Sequence, residues 1–287
     1  MEFNGYEIKR LDFTDPTDMQ KLVDLQNAVY AGKHIFTAEG FSFWYINNPE
    51  GKVVSFNAIY GNVIAAHYAL IPYSMKINGI VEKGLLSMAT VTHPEHRGKK
   101  LFKTLAQVTY DYAREQGYKF VIGIANANSY PGFVKYFNFT DVGRLEVRIG
   151  FCGKISCNGE KLFRRNWTSE ALAWRLGREN YFRCGNTAYG TIGAMGFKKF
   201  PLVKTLLGTF EKGSLDSLPL HNQKTFLRPL NLYVGLGSNV KQKGYVKIPD
   251  FIKHSPFHLI FLDLTGGTLP IMTKDNVFFQ LVDFDVN

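Results

Sequence analysis

Cysteine is scarce in this sequence, and no run of apolar residues is long. The three cysteines, Cys152, Cys157 and Cys184, are an odd number without the paired spacing of a zinc site. We therefore predict neither a disulfide framework nor a metal site, but buried free thiols. No stretch approaches the roughly 18 consecutive apolar residues of a membrane span, and the first residues lack the basic-then-apolar start of a secretory signal. A cytoplasmic protein without a membrane partner is expected.

Acidic residues are fewer than basic ones. The sequence has 34 lysines and arginines against 24 aspartates and glutamates, a formal net charge of +10, of which the first 150 residues carry only +2. A basic surface attracts anions, such as a phosphorylated cofactor, an acidic or nucleotide-linked substrate, or nucleic acid. Because the basic residues are scattered and no nucleic-acid motif is present, we expect no nucleic-acid partner.

The chain is long enough for two domains. Its 287 residues, 45% of them apolar and 15% aromatic, can bury one large core or two ordinary ones. We predict a boundary near residue 150, with one domain over residues 1–150 and a second over residues 151–287.

A basic, glycine-containing turn lies between a predicted strand and a predicted helix. Residues 84–92 are a nearly continuous apolar run, typical of a strand inside a covered sheet, and the residues after the turn place apolar side chains on one helical face. The first N–H groups of a helix lack partners and attract anions. Gly98 allows close approach, while Arg97, Lys99 and Lys100 add charge. The turn predicts a phosphate site, and a solvated basic turn is the alternative.

Local patterns give the order of the elements around this turn. Alternation, caps and turn dipeptides predict a strand, two helices, three strands, the basic turn, a long helix, a strand, a short helix and a closing strand. The predicted segments are a strand at residues 6–11, a helix after Asp15 or Thr17, a helical piece at 41–45, strands at 53–60, 63–71 and 84–92, a helix ending at Gly117, a strand at 118–124, a short helix through Tyr136 and a closing strand at 141–150.

This order resembles the GNAT family, the acetyl-CoA-dependent N-acetyltransferases, over about residues 5–150. The most specific part reads Thr-His-Pro-Glu-His-Arg-Gly-Lys at residues 92–99, which is similar to the strand end and pyrophosphate loop of the family. Asn128 and Phe139 follow at the right distance. The resemblance implies an α/β protein with the GNAT acyl-CoA N-acyltransferase fold, with acetyl-CoA as co-substrate and no metal.

The resemblance also assigns cofactor-binding residues. In the family, two neighbouring parallel strands separate after the fourth strand, and the pantetheine arm pairs with backbone groups there. The pyrophosphate rests on the loop and the helix start, and an asparagine lies beside the arm. The corresponding residues of this sequence are Thr90, Val91 and Thr92 for the arm, Arg97, Gly98, Lys99, Lys100, Leu101 and Phe102 for the pyrophosphate, and Asn128 for the asparagine.

The sequence departs from the family pattern in the loop and at the catalytic acid. Lys100 and Phe102 stand where the family usually has small residues. Val134 stands where it often has a tyrosine that acts as general acid. Tyr130 is our candidate replacement, and Tyr136 is the other nearby hydroxyl.

The general base is also not the usual one. Residues 84–92 contain no carboxylate, although some family members place the base in this strand. His67, on a strand predicted to face the acceptor side, titrates near neutrality and is our candidate base. A core histidine satisfied by hydrogen bonds is the alternative. His93 and His96 flank the loop and are expected at the surface, while main-chain N–H groups along residues 90–92 are expected to polarise the thioester carbonyl.

The second half contains no complete phosphate loop of its own. A helix beginning at Thr168 or Ser169 faintly echoes the helical piece of the first half, as in GNAT proteins with a degenerate second copy, and the resemblance implies a C-terminal GNAT-like α+β half that completes the acceptor cleft. Residues 280–286 alternate like a strand with Asp283 and Asp285 on one face. Those carboxylates bind an amino substrate or, as the alternative, discourage pairing at a sheet edge. Further strands are predicted at 181–184, 188–197, 230–236 and 258–264.

We therefore expect an enzyme that transfers acetyl from acetyl-CoA to a primary amine of a small molecule, such as an amino sugar, by direct attack. A polyamine suits the basic second half poorly. Two alternatives come from other classes of protein. One is a catalytically inactive acyl-CoA-binding sensor, suggested by Val134 at the acid position. The other is a basic interaction protein that uses the fold as a scaffold.

Overall fold

The computed structural model describes residues 1–30, 35–157, 162–177, 181–184, 191–196, 203–210, 218, 221–222, 230–237, 240–249 and 257–284. The three cysteines lie in strands whose side chains fall outside this description, so their state as buried thiols stays a prediction.

The described chain consists of five helices and seventeen strands, with short 3₁₀ turns at Pro94–His96 and Leu281–Asp283. None of the helices in the described ranges is both long and apolar enough to cross a membrane. The helices are α1 (Pro16–Val29), α2 (Ala38–Tyr45), α3 (Leu101–Glu115), α4 (Tyr130–Phe137) and α5 (Ser169–Leu176). The strands are β1 (Glu2–Phe3), β2 (Tyr6–Lys9), β3 (Val54–Tyr60), β4 (Val63–Ile77), β5 (Ile80–Thr92), β6 (Phe120–Ala125), β7 (Thr140–Arg144), β8 (Glu146–Cys157), β9 (Phe163–Arg165), β10 (Tyr181–Cys184), β11 (Thr191–Gly196), β12 (Val203–Phe210), β13 (His221–Asn222), β14 (Leu230–Leu236), β15 (Val240–Lys247), β16 (His258–Asp263) and β17 (Val277–Gln280).

The first sheet has the main strand order β1-β2-β3-β4-β5-β6-β16-β7, in which the pair β5 and β6 is parallel and the others are antiparallel. The short strand β9 pairs antiparallel with the end of β4, and β17 pairs parallel with β9. Its longest hairpin joins β4 to β5 through Asn78 and Gly79, with φ angles of +51° and +82°. Two left-handed residues in succession are what a tight hairpin turn needs, and the Asn-Gly dipeptide suits these φ angles.

Helices cover both faces of this sheet. α1 and α2 lie on one face, where Met19, Leu22 and Trp44 belong to one buried cluster. α3 and α4 lie on the other face, where Leu105 and Tyr110 belong to a second cluster. The predicted caps are present, because the Asp15 side chain accepts from the Thr17 N–H at the start of α1.

One strand of the second half lies inside the first sheet. β16 pairs with β6 along its length, from His258↔Ala125 to Asp263↔Phe120, and pairs with β7 on its other edge. β6 is therefore paired along its whole length on the β16 edge, and over Val121 to Gly123 on the β5 edge. The predicted division at residue 150 does not separate two sheets, because β16 completes the first one.

The second half forms a further set of strands in the order β13-β10-β11-β12-β14-β8-β15. Helix α5 begins at the predicted cap, where the Thr168 side chain accepts from the Ala171 N–H at 3.1 Å. Trp174 of α5 stacks on Phe43 of α2 with ring centroids 4.8 Å apart, and its Nε1 donates to the Phe43 carbonyl at 3.0 Å. The second half thus braces helix α2.

The closing strand predicted at 141–150 is two strands, β7 and β8. The chain leaves regular strand geometry at Gly143, whose φ is +145°, and the register of β7 with β16 shifts there. Leu145 then donates its N–H to the Phe257 carbonyl at 2.8 Å instead of continuing the ladder.

The strand predicted at 280–286 is wrong. Residues Leu281–Asp283 form a 3₁₀ turn, in which Asp283 Oδ2 accepts from the Gln280 N–H at 2.7 Å. Asp283 is only 3% exposed and also accepts from Trp167 Nε1 at 3.0 Å. It is therefore a buried capping residue rather than an exposed edge charge, and Asp285 lies outside the described residues.

Candidate functional site

A cleft opens between β5 and β6. The two parallel strands pair only from Leu85↔Val121 to Ser87↔Gly123. Beyond Ser87, β5 stays paired with β4, whereas β6 stays paired with β16. The strand ends therefore separate, and among the described strands nothing pairs with the edges that face each other across the cleft.

A β-bulge in β5 marks the point of separation. The register with β4 shifts between Tyr68 and Leu70, so that Met88 and Ala89 of β5 oppose a single residue of β4. A bulge bends its strand and increases the local twist. This bend begins immediately after the last pair with β6 and accounts for the divergence.

The cleft continues into a cavity of about 320 Å³. This volume is at the lower end of the range for small-molecule sites. The cavity reaches from α1 and α2 through the gap in the sheet to α4 on the opposite face. It is lined by Gln26 and Tyr30 of α1, by Ile35, Phe36 and Thr37, by Gly40, Phe41, Trp44 and Tyr45 of α2, by Ser87, Met88, Ala89 and Thr90 of β5, and by Ile124, Asn126, Ser129 and Phe133.

The basic turn before α3 is open to solvent. Gly98 has a φ of +76°, and a side chain built there would meet nothing within 4 Å. Lys100, the N-cap of α3, is also left-handed, with a φ of +61°, and its side chain does not cap the helix. The Arg97 N–H bonds to the Pro94 carbonyl at 3.3 Å, and within α3 the Thr104 N–H bonds back to the Lys100 carbonyl at 3.1 Å. The N–H groups between them, at the start of α3, are left to external acceptors. The turn is thus accessible to a ligand from solvent, which a phosphate site requires.

Hydrogen bonds hold the cations of this turn in place. Lys99 Nζ donates to the Tyr6 hydroxyl at 2.9 Å, and that hydroxyl also forms a hydrogen bond with His96 Nδ1 at 2.7 Å. Partial burial and then the charge of Lys99 lower the pKa of His96, which favours the neutral ring. Arg97 Nε donates to the Thr92 carbonyl at 3.4 Å. These bonds keep positive charge beside the start of α3.

The expectation of no metal stays a prediction. His93, Glu95 and His96 each bring one ligand atom within 4.8 Å of the others. The Nδ1 atom of His93 accepts from the Glu95 N–H at 3.3 Å, and Nδ1 of His96 is used by Tyr6.

The loop after β6 presents Asn126 to the cavity. Asn126 Oδ1 accepts from the backbone N–H groups of Asn128 at 3.0 Å and Ser129 at 3.1 Å, which closes the turn into α4. Asn126 and Ser129 line the cavity, whereas Asn128 does not. The contact predicted for Asn128 stays a prediction, and Asn126 is better placed to make it.

His67 is buried behind the cavity and is 1% exposed. Its Nδ1 lies 2.7 Å from Asn57 Oδ1, and its Nε2 lies 2.8 Å from the Tyr45 hydroxyl. Because the amide oxygen can only accept, Nδ1 carries the proton and Nε2 accepts from Tyr45. Burial lowers the pKa of His67 to about 3. This geometry matches the alternative of a core histidine whose two ring nitrogens are both hydrogen-bonded. The role of His67 as general base stays a prediction, and its burial does not favour that role.

Tyr130, the candidate acid at the start of α4, does not line the cavity. Its hydroxyl donates to Asp141 Oδ2 at 2.9 Å, and this bond raises the pKa of Tyr130. Asp141 also lies 3.2 Å from His258 Nδ1 of β16, and the rings of Tyr130 and His258 are 4.4 Å apart. The hydroxyl therefore belongs to a cluster that holds β16 to α4 and β7, and its role in acid catalysis stays a prediction.

The other predicted cofactor residues follow the path from cleft to helix. Thr90 lines the cavity, Val91 is buried against the α1 and α2 core, and Thr92 ends β5. At the helix start Leu101 is buried, whereas Phe102 is half-buried and packs against α4. The predicted cofactor residues of β5, the basic turn and α3 thus follow one another from the strand ends at the cleft to the start of the helix.

Sequence reasoning missed the wall opposite the strand ends. Phe41 and Trp44 were predicted only as part of a helical piece, and no role was predicted for Phe36 or Gln26, although all four line the cavity. The available signal was the aromatic density of residues 41–45. That this helix lies over the open strand ends depends on tertiary packing, which periodicity does not reveal.

Residues 10–141 match the acetyltransferase (GNAT) domain family. No curated protein matches the sequence significantly. The match spans α1 to α4, the cleft and the basic turn, and ends before the second half.

Solved structures resemble this fold across both halves. A conserved protein of unknown function from Enterococcus faecalis V583, described as a probable N-acyltransferase, has a TM-score of 0.60 at 9% identity over 90% of this chain and 73% of its own. A GCN5-related N-acetyltransferase from Kribbella flavida gives 0.59 at 9% identity over 89% and 70%. One from Anabaena variabilis ATCC 29413 gives 0.53 at 10% identity over 91% and 73%. The predicted fold class is confirmed, while the degenerate second copy stays a prediction.

Proposed function

Because the chain carries a GNAT acetyltransferase domain over residues 10–141, we propose that it transfers acetyl from acetyl-CoA to a primary amine of a small molecule. The observation that carries the proposal is the separation of β5 and β6 beyond Ser87, beside a basic helix start. An extended arm that ends in a thioester fits between two such strand ends and bonds to their unpaired backbone groups.

The start of α3 suits the diphosphate of CoA. Its first N–H groups have no side-chain cap, and the helix dipole favours negative charge there. Arg97 and Lys100 are exposed and can pair with phosphate oxygens, and Lys99 adds a positive charge fixed by Tyr6. The residues present therefore fit the co-substrate.

The reaction forms a bond from the amine nitrogen to the acetyl carbon and breaks the carbon–sulfur bond. The nitrogen loses one proton and the departing thiolate gains one, so the two sides balance. Met88, Ala89 and Thr90 of the bulged segment line the cavity, and their backbone N–H groups are our candidate oxyanion donors. Holding the amine against the thioester supplies much of the remaining acceleration.

The carrier of the amine remains part of the proposal. The net charge of +10 favours a neutral or anionic carrier, such as an amino sugar, over a polyamine.

A catalytically inactive acyl-CoA sensor is the second candidate. It is favoured by the positions of the two predicted catalytic groups, since His67 is buried and Tyr130 is bonded to Asp141 outside the cavity. A sensor binds acetyl-CoA without turnover.

Incubation of the full chain with acetyl-CoA and a mixed panel of primary amines tests the proposal. We expect free CoA thiol and an acetylated amine in equal amounts. Ala89→Trp, which fills the cavity at the bulge, should lower the rate by about 100-fold or more, since small misplacements have such effects. Val81→Trp is the control, because Val81 is exposed on the same strand outside the cavity.

The outcomes separate the two candidates. CoA binding without acetylation of any amine would favour the sensor. Absence of both binding and transfer would contradict both candidates.

A further inference from the structure

We infer that the acceptor is a primary amine carried by an aromatic group, without a second cationic centre. This inference rests on the proposed transfer and narrows the neutral carriers to aromatic ones, in place of the amino sugar that net charge alone allowed. The observation behind it is one side of the cavity, here called the aromatic wall, which consists of Tyr30, Phe36, Phe41, Trp44 and Tyr45.

Four rings of the aromatic wall, those of Tyr30, Phe36, Phe41 and Tyr45, contact one another in series. The centroids of Tyr30 and Phe36 are 5.4 Å apart, those of Phe36 and Phe41 are 5.8 Å apart with planes at 15°, and those of Phe41 and Tyr45 are 5.3 Å apart. Aromatic rings favour offset or edge-to-face partners at such spacings. A substrate ring that enters the cavity meets the same kind of surface and extends the series.

The wall is braced from behind by the second half of the chain. Trp44 packs edge-on against Trp174 at 5.2 Å, and Trp174 stacks on Phe43. A surface held in this way loses little conformational freedom when a ligand binds, which strengthens recognition of a flat, rigid group.

Charge is missing from the cavity lining in the described part of the chain. The polar side chains there are neutral ones, namely Gln26, Tyr30, Thr37, Tyr45, Ser87, Thr90, Asn126 and Ser129. An ammonium group that enters loses hydration without gaining a carboxylate, so its pKa falls and the neutral, nucleophilic amine is favoured. A second ammonium on the same molecule would lose its hydration in the same way without reacting.

Gln26 provides a neutral contact for the reacting amine. Its side chain is 3% exposed and lines the cavity one helical turn before Tyr30, on the same face of α1. The amide oxygen of glutamine can accept a hydrogen bond from an amine N–H and leave the nitrogen lone pair free to attack.

The opening of the cavity is also apolar. Ile35 is 84% exposed and Tyr30 is 40% exposed, and both line the cavity. An apolar ligand that contacts these two side chains on its way into the cavity removes their apolar surface from water, which favours its binding.

A comparison of three amines with the full chain tests the inference. The probes are 2-phenylethylamine, spermidine and glucosamine, each with acetyl-CoA, and the measurement is kcat/KM from CoA release. We expect 2-phenylethylamine to exceed both others by about tenfold or more, because it alone stacks on the aromatic wall and brings neither a second ammonium nor hydroxyl groups into a lining without charged side chains. A higher kcat/KM for spermidine or glucosamine would overturn the inference and leave the proposed transfer intact.

A matched pair of variants locates the effect in the cavity. Ile35→Glu places a carboxylate at the rim, and Ile271→Glu places one on a residue that is 76% exposed and does not line the cavity. We expect Ile35→Glu to lower kcat/KM for 2-phenylethylamine and to raise it for spermidine, changing their ratio by about tenfold, while Ile271→Glu leaves the ratio unchanged. Equal ratios in the two variants would overturn the inference. Transfer to none of the amines would overturn it together with the proposed activity.

Discussion

The Tyr130 hydroxyl is hydrogen-bonded to Asp141, so its removal should affect stability more than catalysis. It donates to Asp141, and the ring lies outside the cavity lining. We expect Tyr130→Phe to keep kcat within about threefold of the parent and to lower the free energy of unfolding by about 1 kcal/mol at most, the usual net value of a hydrogen bond. Rates between pH 6 and pH 9 and urea unfolding measure both. A fall in kcat of about 100-fold with a changed pH profile would instead establish Tyr130 as the general acid.

Asp283 should make stability depend on pH. Burial outweighs the hydrogen bond from Gln280 and the nearby Arg165 and raises the pKa of Asp283 from 3.8 to about 6. A folded-state pKa above the unfolded value means that the folded protein binds the proton more tightly, so this contribution to stability is full below pH 4 and is lost as the pH rises through 6. The loss is about 3 kcal/mol by linkage.

Unfolding of Asp283→Asn measures this contribution. We expect the free energy of unfolding of the parent to fall by about 3 kcal/mol more than that of the variant between pH 4 and pH 7, because asparagine has no proton to lose. Parallel curves would show that Asp283 does not carry the effect.

His67 and Asp283 also show what the sequence cannot predict about a single residue. The residue types of His67 and Asp283 suggested groups that a substrate could reach. Their surroundings come from distant parts of the chain, since Tyr45 and Asn57 occupy the ring of His67, and Trp167 covers Asp283. Alternation along a strand predicts which residues share a face, but it does not predict which face another element covers.

Among the elements, β5 is the one on which the site depends. Its apolar run correctly predicted a strand in a covered sheet. The bulge at Met88 and Ala89 could not be predicted, because both residues are compatible with a regular strand and the irregularity exists only relative to β4. The basic turn and α3 were predictable from Gly98 and the helical spacing, since their signals are local.

Gly84 keeps β5 and β6 close where their pairing begins. A side-chain carbon at this position would fall on the ring of Phe120, which is fully buried and stacked on Phe261 at 5.5 Å. We expect Gly84→Ala to lower the free energy of unfolding by about 2 kcal/mol, as overpacking of a core does. Urea unfolding measures this change.

A double-mutant cycle with Phe120→Leu provides the control. The smaller side chain gives the new methyl group room, so the double variant should be more stable than the sum of the single effects predicts. Strict additivity would mean that the clash is not the cause.

For the whole molecule, the two halves share a sheet. β16 lies between β6 and β7, so a fragment of residues 1–150 would expose the apolar edge of β6. We expect this fragment to aggregate and to lack the cooperative thermal transition of the full chain, because unpaired apolar strand edges associate with one another. Size-exclusion chromatography and circular dichroism test this. A monomeric fragment with a cooperative transition would support the boundary predicted at residue 150.

The fold class was predictable at this scale because the order of helices and strands over residues 10–141 is itself characteristic of the family. The insertion of β16 was not predictable. Its residues follow β7 by more than 100 positions, and an antiparallel apolar strand fits many places in a sheet.

The most direct test of the central claim is calorimetric titration of CoA into the parent, Gly98→Trp and Gly117→Trp. The two glycines have φ angles of +76° and +79°, both have open space around them, and they lie at opposite ends of α3. If the start of α3 binds the diphosphate, the parent binds CoA with a Kd below about 1 mM, Gly98→Trp weakens binding by about tenfold or more, and Gly117→Trp leaves it unchanged. Binding weaker than millimolar in the parent, or equal in the parent and Gly98→Trp, would contradict the claim.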